Sequence, residues 1–164
     1  TAFARTAAYD AAVSGWMTGV NDSPIPRRRV FAGTLSQVLR YGENPHQEAA
    51  FYKDASSPLT YFGDRPSLAN AVVLQGKALS YNNLVDLDAA LGLAKEFEQP
   101  FVCVIKHNNP CGLATAENLG QAFNDALDCD RTSAFGSVIG FLQECRPFNN
   151  IQCVIQEMRI NLRL

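Results

Sequence analysis

Lys106 and His107 stand side by side at the end of an unbroken apolar run, Phe101-Val102-Cys103-Val104-Ile105. An imidazole changes charge near neutral pH, and a lysine ammonium can do the same when desolvated. His107 is a candidate general base. Lys106 is a candidate stabiliser of developing negative charge, or a proton donor once its pKa is lowered. An ordinary Lys-His pair is a solvated strand end. This pair caps a run that reads as a strand buried on both faces, and Asn108-Asn109-Pro110-Cys111-Gly112 then reads as a turn. Ligands of open α/β sheets bind at the carboxyl ends of such strands.

Three further groups carry candidate chemistry. Arg40-Tyr41-Gly42-Glu43-Asn44-Pro45-His46-Gln47 offers a guanidinium fork suited to phosphate or carboxylate, in what is otherwise a polar turn. Ser80-Tyr81-Asn82-Asn83 supplies helix-capping residues, and a helix N-terminus also attracts anions. Gly136, after Thr132-Ser133-Ala134-Phe135, allows close backbone approach to a ligand or simply eases a turn. His46-Gln47-Glu48 and Pro110-Cys111 hint at a zinc deaminase, but Ala114 stands where a second thiolate is needed. No Walker loop or dinucleotide glycine fingerprint occurs.

The elements that must position these residues follow from periodicity. Residues 2–18 read as a helix stopped by Gly19, and residues 21–29, with two prolines and three arginines, as a linker. Residues 30–41 can form a strand running into Arg40 and Tyr41, and Ala49–Tyr52 a short strand. Residues 54–66 read as a polar loop, and Ala71–Leu74 as a buried strand ended by Gly76. After the Ser80 group, Leu84, Leu87, Leu91, Ala94 and Glu98, widened by Ala90 and Phe97, line one helix face until Pro100. A second helix covers Glu117–Leu127, and Gly136–Phe141 reads as a strand. Alternating strands and helices predict an α/β layer with a largely parallel sheet. Residues 142–164 show no clear pattern.

Composition bounds the rest. A chain of 164 residues that is 47% hydrophobic supports a packed core of ordinary domain size. Its 14 basic and 16 acidic residues leave a net charge of -2, which gives no electrostatic case for nucleic acid. The apolar runs are too short for a membrane helix, and no secretion signal opens the chain. Five cysteines without a Cys-x-x-Cys pair fit a reducing, cytoplasmic compartment better than a disulfide framework. The chain begins with Thr1 rather than Met, as a piece of a longer protein would.

Leu39–Gln47, Ser80–Asn83, Lys106–Gly112 and Ser133–Gly136 together resemble, in order and spacing, one family. This is the bifunctional purine-biosynthesis enzyme that joins aminoimidazole carboxamide ribonucleotide (AICAR) formyltransferase to inosine monophosphate (IMP) cyclohydrolase. Thr1–Asp10 also resembles the closing helix of the cyclohydrolase domain. The resemblance implies residues 1–20 as that helix, 21–29 as linker, 30–141 as the N-terminal part of the formyltransferase domain, and 142–164 as a divergent tail. It implies a cytidine-deaminase-like α/β fold without zinc or any other metal. The implied reaction transfers a formyl group from 10-formyltetrahydrofolate, a cosubstrate, to the 5-amino group of AICAR. His107 would be the base and Lys106 the transition-state stabiliser. Arg40, Tyr41, His107 and Gly136 would contact the nucleotide, and Asn83 would lie on the substrate side. Family members are homodimers whose formyltransferase sites form between subunits, so the segment alone is expected to turn over little or not at all. A different class remains open: a catalytically dead nucleotide-binding or interaction module from a truncated gene.

Overall fold

The computed structural model describes residues 1–20, 25–54, 68–142, 151–155 and 160–163. Two compact units divide the chain: Thr1–Val38 with Ala50–Arg65, and Leu39–Ala49 with Pro66–Leu164. Residues 21–24 of the expected linker, most of the loop at 54–66 and parts of the 142–164 tail lie outside the described residues.

The first unit begins with helix α1, Ala2–Val20. Its many alanines favour the helix locally, and it runs past Gly19, the expected stop. Only Ala11 is buried along it. Strands β1 (Gly33–Val38) and β2 (Ala50–Asp54) pair antiparallel, with a bulge between Leu35 and Gln37. β1 therefore ends before Arg40 and Tyr41 rather than running into them.

The second unit is built on a six-stranded sheet. Its elements are β3 (Val72–Gln75), helix α2 (Tyr81–Ala94), β4 (Phe101–Lys106), β5 (Asn109–Thr115), helix α3 (Leu119–Cys129), β6 (Val138–Leu142), β7 (Ile151–Ile155) and β8 (Ile160–Arg163). The strands lie in the order β3-β8-β7-β6-β4-β5.

Every described pair of neighbouring strands is antiparallel, which corrects the expected parallel sheet. The cause is local. The turn after β4 occupies only His107 and Asn108, both at positive φ (52° and 63°), and a two-residue turn of that kind returns the chain antiparallel. Pro110 and Gly112 thus lie in β5, not in the turn. Proline is tolerated there because β5 is the sheet's edge and the pairing shifts register beside it, between Val104 and Ile105. Since β5 and β6 each pair antiparallel with β4, these two flanking strands run the same way, joined through α3.

Phe101 to Ile105 are each 0% exposed, so β4 is covered on both faces. Val102 and Val104 pack with Ala122 and Ala126 of α3 and Ile139 of β6. The alternate residues face the other side, where α2 packs on β4 and β6 with Leu87, Ala90, Leu91 and Ala94 buried. Phe97, just beyond α2, stacks on Phe101 with ring centroids 4.4 Å apart. β3, expected to be buried, is not: Val72 and Leu74 are more than half exposed. The tail read as patternless supplies β7 and β8, which fill the sheet between β6 and β3.

Candidate functional site at the N-terminus of α2 and the end of β4

Ser80 is the N-cap of α2, and Asn83 completes a capping box: Asn83 Oδ1 accepts from the Ser80 backbone N–H at 3.0 Å, and Ser80 Oγ accepts from the Asn83 N–H at 3.3 Å. The expected cap is therefore real, and the Asn83 carboxamide oxygen is committed to it. The same helix end holds the arginine loop. Arg40 N–H donates to Leu79 O at 2.8 Å, Tyr81 N–H to Tyr41 O at 3.1 Å, and Asn82 Nδ2 to Glu43 O at 3.0 Å. Arg40 places its guanidinium over the Tyr41 ring, 4.7 Å from the centroid, and donates from Nη2 to Tyr41 Oη at 2.9 Å.

The loop closes on itself. Gly42 N–H donates to Gln47 O at 2.9 Å, and Gln47 Oε1 accepts from Asn44 N–H at 2.8 Å. A Cβ on Gly42 would meet Gln47 Cβ at 2.9 Å, so glycine fits this turn where a larger residue does not. An open cavity of about 320 Å³ lies beside it, lined by Gly42, Glu43, Gln47, Glu48 and Tyr81.

At the end of β4, Lys106 Nζ donates to Phe135 O at 3.0 Å. That carbonyl belongs to the peptide bond leading into Gly136, whose φ of 77° favours glycine. Lys106 and Gly136 are thus brought together across 30 residues of sequence. The loop that presents Phe135 is fixed by Asp130, whose carboxylate accepts from Ser133 N–H at 3.0 Å, and by buried Ser137, whose hydroxyl donates to Ala134 O at 2.7 Å. Hydrogen bonds from Ser133, side chain and backbone, hold the Asp130 carboxyl below its usual range, with Lys106 a smaller contributor.

His107 is exposed at the tip of the hairpin. Its backbone carbonyl accepts from Asn109 Nδ2 at 2.9 Å. The following amide, Asn108 N–H, donates to Asp86 Oδ1 at 2.7 Å. Burial pushes the Asp86 carboxyl above its ordinary value, with the Asn108 amide and the nearby His107 opposing the rise. Asp86 lies one turn along α2 from Asn82 and Asn83. The first two turns of α2 therefore join the Arg40–Tyr41–Asn83 group to the Lys106–His107–Gly136 group.

Asp86, Asp130 and Ser137 escaped the sequence reading. A single Asp on the polar side of a helix looks like any solvated carboxylate. The only prior signal was its place one turn after the capping residues. Among the described residues, no three His, Cys, Asp or Glu side chains gather as a metal-binding set. Cys103 lies in the core, where burial pushes its thiol up to about 12.

These features define an α/β domain with cationic and hydrogen-bonding groups collected where a buried strand and a helix N-terminus meet. Residues 1–150 match the AICARFT/IMPCHase bienzyme family. The chain belongs to that family. It is 58% identical over 146 residues to the bifunctional purine biosynthesis protein PurH of Roseobacter denitrificans, and 56% identical over the same length to that of Cereibacter sphaeroides strain ATCC 17025. Each alignment covers 87% of this chain and 26% of the relative. PurH of Sinorhizobium medicae is 53% identical over 146 residues. The chain spans about a quarter of the length of the curated relatives it matches.

Proposed function

We propose that this chain is a segment of a bifunctional purine biosynthesis protein, and that its second unit holds the nucleotide side of an AICAR formyltransferase site. Residues 1–20 are then the closing helix of an IMP cyclohydrolase domain, 21–29 the linker, 30–141 the N-terminal part of a cytidine-deaminase-like formyltransferase domain, and 142–164 a divergent tail. The observation that carries this reading is the family match over residues 1–150, within which the separate motif residues gather on the first two turns of α2 and the end of β4.

The chemistry follows from the groups. The 5-amino group of AICAR is conjugated with its imidazole ring and is a weak nucleophile. His107 takes its proton as nitrogen bonds to the formyl carbon of 10-formyltetrahydrofolate. Lys106, at the Phe135–Gly136 peptide, faces the oxyanion that forms. Collapse of the tetrahedral intermediate breaks the bond to the folate N10, which leaves with a proton as tetrahydrofolate. Arg40 and Tyr41 hold the nucleotide, Gly136 contacts it through its backbone, and Asn83 approaches it with Nδ2, since its oxygen caps α2. On this reading most folate contacts and the cyclohydrolase catalytic residues belong to other parts of the full-length protein, which acts as a cytoplasmic homodimer.

Calorimetry with AICAR and a formyl-transfer assay test this reading. The expected result is nucleotide binding by the chain, no turnover alone, and turnover on adding the missing part of the protein. Turnover by the isolated chain at the rate of a full-length relative would overturn its description as half a site. Binding without turnover after complementation would favour the alternative, a catalytically dead nucleotide-binding or interaction module. One feature favours that alternative: β7 and β8 extend beyond the family match and close the sheet between β6 and β3.

A further inference from the structure

We propose that Asp86 is a positioning residue for His107, fixing the imidazole through the Asn108 backbone, a role that rests on the formyl-transfer chemistry proposed above. The hairpin loop sets the problem. Left-handed backbone is unfavourable for an ordinary L-residue, which is why two-residue loops of this type favour Asn-Gly. Here both positions, His107 and Asn108, carry side chains at φ 52° and 63°. An imidazole at the first position of such a loop is aimed only as well as the loop is held.

One restraint comes from within the hairpin, where Asn109 Nδ2 donates to His107 O at 2.9 Å. The other comes from a different element. Asp86, on α2, accepts the Asn108 N–H through Oδ1 at 2.7 Å, the short length of a charge-assisted bond. This amide directly follows His107, so the bond fixes the peptide plane that sets the direction of the histidine Cα–Cβ bond. α2 is itself anchored at Ser80, and its first turn binds the Arg40–Glu43 loop. A carboxylate there ties the base to the same rigid element that holds the nucleotide-binding arginine. Its burial raises the cost of ionising it, a cost spent beside a strained histidine rather than at an indifferent surface position.

The test compares Asp86→Ala, Asp86→Asn, His107→Ala and the double variant Asp86→Ala/His107→Ala in a full-length bifunctional protein that contains this segment. For Asp86→Ala the expected kcat of formyl transfer falls about 100-fold, as a misplacement near 1 Å costs, while KM for the nucleotide moves less than about threefold. Asp86→Asn keeps an oxygen acceptor for Asn108 and should recover to within about fivefold of the parent kcat. In the His107→Ala background, Asp86→Ala should add no further loss, because the carboxylate acts through the imidazole. A kcat within about twofold of the parent for Asp86→Ala, or an undiminished loss when His107 is already gone, would overturn the positioning role. Should Asp86→Ala not fold, Asp86→Glu keeps the charge and displaces the acceptor by one methylene. At least a tenfold fall in kcat is expected for it, and parent activity would sink the proposal. Unchanged kcat in His107→Ala would remove the formyl-transfer chemistry and the positioning role together. Loss in His107→Ala with none in Asp86→Ala would remove the positioning role alone.

Discussion

Two carboxylates flank the candidate catalytic pair, and their environments push them in opposite directions. Asp130 is held low by hydrogen bonds from Ser133, so its contribution to stability is present above the ordinary value of 3.8 and is lost as pH falls through its folded pKa. Asp86 is raised by burial, so its contribution is present below 3.8 and is lost as pH rises through its folded pKa. Urea unfolding of the chain from acid to neutral pH should separate the two. Asp130→Asn should lose stability relative to the parent at neutral pH, with the gap closing in acid. Asp86→Asn should gain on the parent as pH rises from acid to neutral, because the amide still accepts from Asn108 but carries no ionisation cost. Parallel pH curves for parent and variant would count against the environment assigned to that residue.

Among the elements, α3 and β5 approach each other closely at Gly112. A Cβ on Gly112 would overlap the backbone oxygen of Ala126, which no side-chain motion relieves. Gly112→Ala should therefore destabilise the chain by about 3 kcal/mol by forcing strand and helix apart. Gly92→Ala, in α2 with nothing within 4 Å of the added carbon, should stabilise it by about 0.5–1 kcal/mol. Thermal melts of both variants check the contrast, and a Gly112→Ala melt equal to the parent's would contradict the close packing. The Gly112 requirement was hidden in the sequence because Asn-Pro-Cys-Gly reads as turn chemistry, whereas the turn is only His107-Asn108 and the proline sits on an edge strand. The central strand itself was legible, since five consecutive apolar residues have few other uses. Its antiparallel partners were not, because a strand buried on both faces carries the same pattern whichever way its neighbours run. The cap at Ser80 was legible from type and spacing. The residues at 40, 41, 106, 107 and 136 stood out by type and by the family resemblance, and their proposed roles await the binding and transfer assays. Asp86 was not, since what matters is its contact with an amide 22 residues away.

Across the whole molecule, burial is distributed very unevenly. β4 is enclosed by β5, β6 and a helix layer on each face, with every residue from Phe101 to Ile105 at 0% exposure. α1 buries only Ala11, and Phe3, Tyr9, Trp16, Met17 and Val20 are each about half exposed or more. Most helix stability in proteins comes from packing an apolar face, and α1 packs almost none of its own. Amides of α1 should then open by local fraying at little free-energy cost, whereas those of β4 exchange only when the sheet comes apart. Hydrogen-exchange mass spectrometry of the 164-residue chain should show peptides from Ala2–Val20 fully labelled at times when Phe101–Lys106 remains protected. Three cysteines of the described residues provide a second readout of the same hierarchy: of these, exposed Cys129 should react with a thiol reagent before half-buried Cys111, and Cys103 only on unfolding. Protection of α1 equal to that of β4 in the isolated chain would mean that its apolar side chains are covered in solution, and that the hierarchy drawn from burial is wrong.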